Sequence, residues 1–126
     1  MKYVLDASAV IALLGGEPGG ERVEARLADA AICSVNMAEV ATRLIDRGLP
    51  IEQMIEIIAL LGVQVVAFDE SLAIAAAVLR SKTRGAGLSL ADRACLALAI
   101  REQATALTTD RAWSSVDVGC AVEQLR

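Results

Sequence analysis

The sequence predicts an α/β fold: a three-layer α/β/α sandwich with a central, mostly parallel sheet of four or five strands. Three observations point there. Short apolar runs of strand length alternate with longer helical stretches, the pattern of a sheet built through helical crossovers. The 126 residues are 56% hydrophobic but only 2% aromatic, so the core is aliphatic and alanine-rich, suited to helices lying close on a sheet. The length, with no internal repeat or linker, indicates one domain over residues 1–126.

Tyr3-Val4-Leu5 reads as a buried strand ending at Asp6, and Ala7 to Leu14 as a helix stopped by Gly15-Gly16. The stretch from Gly15 to Gly20, with Pro18, is a turn-rich loop that lacks the Lys-[Ser/Thr] of a phosphate-cradling loop. Glu21 to Ala28 is a short helix and Ala30 to Ser34 a second strand. Val35 to Arg47 is a helix closed by Gly48 and Pro50, and Ile51 to Leu61 another, closed by Gly62. The β-branched run from Val63 to Ala67 makes a third strand. A long alanine-rich helix spans Asp69 to about Lys82, and Leu90 to Glu102 forms the next. Thr105 to Thr108 is a fourth strand, and Val116 to Val122, interrupted by Gly119, a weak fifth.

The chain has no histidine, which excludes Ser-His-Asp and Cys-His catalysis and imidazole metal ligation. Any metal site must use carboxylates, favouring Mg2+ or Mn2+ over zinc. Cys33, Cys95 and Cys120 lack C-x-x-C pairing and read as small buried residues of a reducing compartment. The longest apolar run, Leu72 to Leu79, is too short for a membrane helix and no signal peptide is readable, so a cytoplasmic location is expected. The hydrophobic content exceeds the ~45–50% of ordinary domains and points to a covered partner or dimer surface, with the helices at Ile51–Leu61 and Leu72–Leu79 as candidates.

Function in open parallel sheets collects at the carboxyl ends of the strands. Four acids fall there: Asp6 after the first strand, Glu39 early in the helix after the second, Asp92 at the start of the helix leading to the fourth, and Asp110 just beyond it. Each has a plainer alternative. Asp6 is placed to cap the next helix, Ser89 and Asp92 have capping-box spacing, Asp110 could cap a turn near Trp113, and Glu39 could pair with Arg43 one turn on. On a helical wheel, Glu39 also points away from the apolar face of Met37, Val40, Ala41 and Leu44. As a set, however, crowded carboxylates raise one another's proton affinity and become stable around a divalent cation. Such an ion activates water and offsets charge on a phosphate, so the set suggests phosphoester hydrolysis.

Val-Leu-Asp-Ala-Ser, Asn-Met-Ala-Glu-Val, Leu-Ser-Leu-Ala-Asp-Arg-Ala-Cys and Thr-Thr-Asp-Arg-Ala-Trp, in that order across the chain, resemble the PIN-domain family, most closely its VapC-type toxins. The resemblance implies a PIN-like fold and a Mg2+-dependent endoribonuclease, with Mn2+ as substitute, that hydrolyses RNA by metal-activated water and leaves a 5′-phosphate. It implies Asp6, Asp92 and Asp110 around the metal and Glu39 as the fourth catalytic acid, turned to the cleft against the wheel argument. Ser8 and Thr108 or Thr109 match hydroxyl residues beside the first and last acids. A cognate antitoxin and a homodimer are the expected protein partners, and no membrane. A structure-specific DNA nuclease, or another metal-dependent phosphoesterase, is the alternative on the same acids. Arg80, Lys82, Arg84, Arg93 and Arg111 are expected to form a basic rim for RNA, although a solvated helix end explains them equally.

Overall fold

The structure is a computed structural model that describes residues 1–126. In chain order the elements are β1 (Tyr3–Leu5), α1 (Ala7–Leu14), α2 (Gly20–Glu24), β2 (Ala30–Cys33), α3 (Ser34–Asp46), α4 (Ile51–Leu61), β3 (Gln64–Val66), α5 (Glu70–Val78), α6 (Arg80–Thr83), α7 (Leu90–Glu102), β4 (Thr105–Thr108) and β5 (Val122–Gln124), with 3-10 turns at Leu27–Asp29, Arg84–Ala86 and Arg111–Ser115. All five strands run parallel, in the order β3-β2-β1-β4-β5.

The pleat of the short central strands sends alternate residues into two cores. Val4, Cys33 and Ala106 join α5, α7 and the single tryptophan, Trp113, on one face. Leu5, Ile32 and Leu107 join α1 and α3 on the other. Three layers result, as the sequence predicts. Alanine makes the helix contacts close, and Gly20 makes one closer still. A Cβ built there would stand 2.6 Å from the Ala12 carbonyl oxygen, so only glycine lets α2 settle on α1.

The chain lays β1, β2 and β3 outward in one direction, then returns to place β4 and β5 on the other side of β1. Crossovers therefore diverge between β1 and β4, leaving a crevice beyond their carboxyl ends. Asp6 follows β1 and Thr108 ends β4, so both stand at this opening.

Three expected elements differ. The fifth strand is Val122–Gln124 rather than Val116–Val122, because Val118 turns inward beside Trp113 and Gly119 adopts a left-handed φ of 96°. The long helix from Asp69 breaks at Leu79 into α5 and α6; near the break, Arg93 Nη1 donates to the Ala76 carbonyl at 3.0 Å. The helix expected at Glu21–Ala28 is the shorter α2 followed by a 3-10 turn. No helix is long and apolar enough to cross a membrane. The cysteines are free, with Cys33 and Cys95 buried and Cys120 half-buried.

Candidate active site

Asp6 occupies the position that starts α1, yet its carboxylate makes no capping bond to the helix. It is 4% exposed, and its Oδ2 instead accepts hydrogen bonds from Ser8 Oγ at 2.6 Å and Thr108 Oγ1 at 3.0 Å. Each hydroxyl has one proton, so with both committed to Asp6 the 3.2 Å approach of Ser8 Oγ to Thr108 Oγ1 is a contact only. Their lone pairs serve the next turn: Ser8 Oγ accepts from the Thr109 amide and Thr108 Oγ1 from the Asp110 amide, both at 3.0 Å. The hydroxyl role after β4 thus belongs to Thr108, which is fully buried, while Thr109 contributes its backbone. Burial pushes the Asp6 carboxyl up to about 6, opposed by the two hydroxyls and reinforced by repulsion from Asp92 and Glu39.

Glu39 lies on the cleft side of α3, as the resemblance implies and the wheel argument does not. No ion pair joins it to Arg43. Desolvation and then Asp92 raise its proton affinity, while Asn36 and Arg43 favour the charged form. Asp92 does form the capping box: Ser89 N donates to Asp92 Oδ2 at 2.9 Å, and Asp92 N to Ser89 Oγ at 3.2 Å. It is nevertheless raised, by desolvation and by repulsion from Asp110, so cap and acidic cluster share one side chain. Asp110 Oδ1 accepts from the Ala112 amide at 2.9 Å, capping the 3-10 turn that carries Trp113. Asn36, whose role no sequence signal marks, is wholly buried and its Nδ2 donates to the Ala91 carbonyl at 3.0 Å. It ties the start of α3 to the start of α7, the two helices that carry Glu39 and Asp92.

A cleft of about 730 Å³ opens over Asp6, Glu39 and Asp110. Its basic residues are Arg43, Arg47 and Arg126, not the expected rim. Arg93 is drawn into the Ala76 contact, and Arg80, Lys82, Arg84 and Arg111 are exposed outside the cleft. No spacing in the sequence brings Arg126 to this place. It arrives because β5 is the last strand added beside β4.

The donors around the opening are all carboxylate and hydroxyl oxygens, with no imidazole, and both hydroxyl bonds to Asp6 fall on Oδ2. That chemistry suits a hard divalent cation, and repulsion among Asp6, Glu39, Asp92 and Asp110 is what such an ion relieves. No three acidic or thiol side chains close on a common point as a ready-made cage.

No curated protein matches the chain significantly. Solved structures sharing its fold include VapBC2 from Rickettsia felis bound to a promoter DNA fragment, 20% identical with a TM-score of 0.75 over 98% of each chain. DNA-bound VapBC from Salmonella typhimurium is 16% identical with a TM-score of 0.76, covering 100% of this chain and 99% of that one. VapBC-5 from Mycobacterium tuberculosis, a member of the VapBC family of toxin–antitoxin systems, is 22% identical with a TM-score of 0.62, covering 99% of this chain and 98% of that one. The PIN domain family matches residues 3–119, nearly the whole sheet and all four acids, and the chain belongs to that family.

Proposed function

We propose that the chain is a Mg2+- or Mn2+-dependent endoribonuclease and the toxin of a toxin–antitoxin pair. The observation that carries this reading is Asp6: a buried carboxylate at the mouth between β1 and β4, held by two hydroxyls rather than by a helix end, and repelled by Asp92 and Glu39. Asp6, Asp92 and Asp110 would hold the ion. When bound, it offsets charge on the phosphodiester and makes water easier to deprotonate. Glu39 faces the open cleft with raised proton affinity; it orients the attacking water and takes its proton. Water then adds to phosphorus as the bond to the 3′ oxygen breaks; that oxygen takes a proton from solvent and leaves as a 3′-hydroxyl, and the other fragment keeps a 5′-phosphate. Ser8 and Thr108 keep Asp6 in one rotamer, so its other oxygen serves the site.

The VapBC names of the structural neighbours support an antitoxin partner. So does the surface of α4, where no residue is buried and Ile51, Ile55 and Leu60 are exposed. On α5, Leu72 and Ala76 are core, whereas Ile74 and Val78 remain exposed and support a homodimer contact.

Wild type and Asp6→Asn are to be incubated with RNA, single-stranded DNA of the same sequence and a phosphomonoester, with and without Mn2+. Mn2+-stimulated RNA cleavage that Asp6→Asn abolishes while staying folded is expected. RNA left intact while DNA is cut favours the DNA-nuclease reading, and full activity of Asp6→Asn removes the site assignment.

A further inference from the structure

The cleft over Asp6 and Glu39 continues along α3 to its far end, where Arg43 and Arg47 line it together with Arg126 from beyond β5. Glu17, in the loop between α1 and α2, sits between two of these guanidiniums. Its Oε1 accepts from Arg126 Nη1 at 3.1 Å, and its Oε2 lies 3.7 Å from Arg47 Nη2. Arg126 also donates to the Pro18 carbonyl at 3.2 Å, which fixes its direction, and Arg43 makes no ion pair. Beyond the catalytic acids, the cleft sets three arginines against two carboxylates, Glu17 and Asp46.

The geometry points to a phosphodiester-backbone subsite formed by Arg43, Arg47 and Arg126, in which the Glu17 carboxylate stands where a substrate phosphate binds. This deepens the endoribonuclease reading and rests on it. Glu17 meets each guanidinium through one nitrogen, and a phosphate, with more acceptor oxygens than a carboxylate, can engage the same guanidiniums bidentately. The Glu17 links are exposed and contribute little to folding, since the side chains of Glu17, Arg47 and Arg126 are 32%, 43% and 37% accessible. An incoming polyanion can therefore displace Glu17 at small cost. Glu39, Arg43 and Arg47 follow at four-residue intervals on one face of α3 and its end, steps of about 6 Å along the axis. A single strand with its scissile phosphate at the acids thus meets the arginines with phosphates further along. The Gly15-Gly16 turn and Pro18 hold Glu17 on the loop that the strand has to pass.

The test uses the full chain carrying Asp6→Asn to block turnover, a fluorescein-labelled single-stranded oligoribonucleotide, and anisotropy in Mg2+ over a salt series, with circular dichroism for each variant. Arg43→Ala and Arg47→Ala are each expected to weaken binding roughly tenfold and to flatten the log–log salt slope by about 0.7. Glu17→Gln is expected to tighten binding severalfold by releasing two arginines. The triple Arg80→Ala, Lys82→Ala, Arg84→Ala variant should bind as the parent does. Weakening by the triple variant with silent α3 arginines overturns the subsite but leaves the nuclease reading, provided wild type cleaves RNA. Unchanged or weaker binding by Glu17→Gln overturns the stand-in role. Neither binding nor cleavage of RNA by wild type overturns both.

Discussion

Asn36 Nδ2 donates to the Ala91 carbonyl at 3.0 Å, joining the first turns of α3 and α7 through a side chain with no solvent exposure. One residue beyond Ala91 is Asp92, and three beyond Asn36 is Glu39, so this single bond sets the spacing of two acids from different helices. Asn36→Ala is expected to cost about 1–3 kcal/mol, because it opens space at a wholly buried position and removes the bond between the two helices. Urea unfolding measures the loss. Nuclease activity should fall further than that of an equally destabilised core variant, Val40→Ala; equal losses would reduce Asn36 to a packing residue.

The pH dependence of stability follows from Asp6. Its carboxyl is raised from 3.8 to about 6 in the folded chain, so the folded state holds a proton the unfolded state has lost. That contribution is complete below the unfolded value and disappears as pH rises through the folded one. The shift corresponds to about 3 kcal/mol, and Glu39 and Asp92 move in the same direction. With chelator present, wild type is expected to be less stable at about pH 8 than at about pH 5, and Asp6→Asn to remove most of that slope. Mg2+ should raise the wild-type Tm more at the higher pH. A flat wild-type profile would mean Asp6 is not confined as the structure places it.

Thr108→Val keeps shape while removing one donor to Asp6 and the acceptor of the Asp110 amide. A loss of about 1.5–3 kcal/mol is expected for a bond to a carboxylate, together with an upward shift of the Asp6 titration followed by carbon-13 NMR. Thr109→Val, whose hydroxyl makes neither bond, is the control. Equal effects at the two positions would be the contrary result.

At the start of α7, capping and chemistry can be separated. Ser89→Ala removes one half of the box and should cost about 1 kcal/mol of stability with cleavage retained. Asp92→Asn keeps an oxygen for the Ser89 amide but lowers the charge at the site. It should therefore leave Tm nearly unchanged and eliminate cleavage. Retained cleavage in Asp92→Asn would leave Asp92 as a cap alone.

How far the sequence carries depends on the distance over which each feature is decided. The helices Ala7–Leu14, Ile51–Leu61 and Leu90–Glu102 and the strand Thr105–Thr108 have their expected bounds, because glycines, caps and apolar runs act locally. The places of Asp6 and Asp110 after strands and of Asp92 in the first turn of a helix were legible too, whereas Glu39, in the second turn of α3, faces the cleft against its place on the wheel. The capping alternatives were settled only by structure: side-chain bonds show that Asp92 and Asp110 cap and Asp6 does not. The basic side of the cleft was misplaced because Arg43, Arg47 and Arg126 meet only after β5 closes the sheet. Arg93, expected at the surface, is taken by the Ala76 carbonyl. Asn36 offered no periodic signal; a buried amide is recognised by its partner, which lies 55 residues away.

The hydroxyl clasp on Asp6 spans 102 positions, from near the beginning of the chain to β4. Asp6 leaves the ribosome 102 residues before Thr108, and β4 cannot dock before α7 has been made. The site is therefore incomplete until β4 has been made. For an enzyme proposed to cut RNA, no cleavage can precede the docking of β4 beside β1.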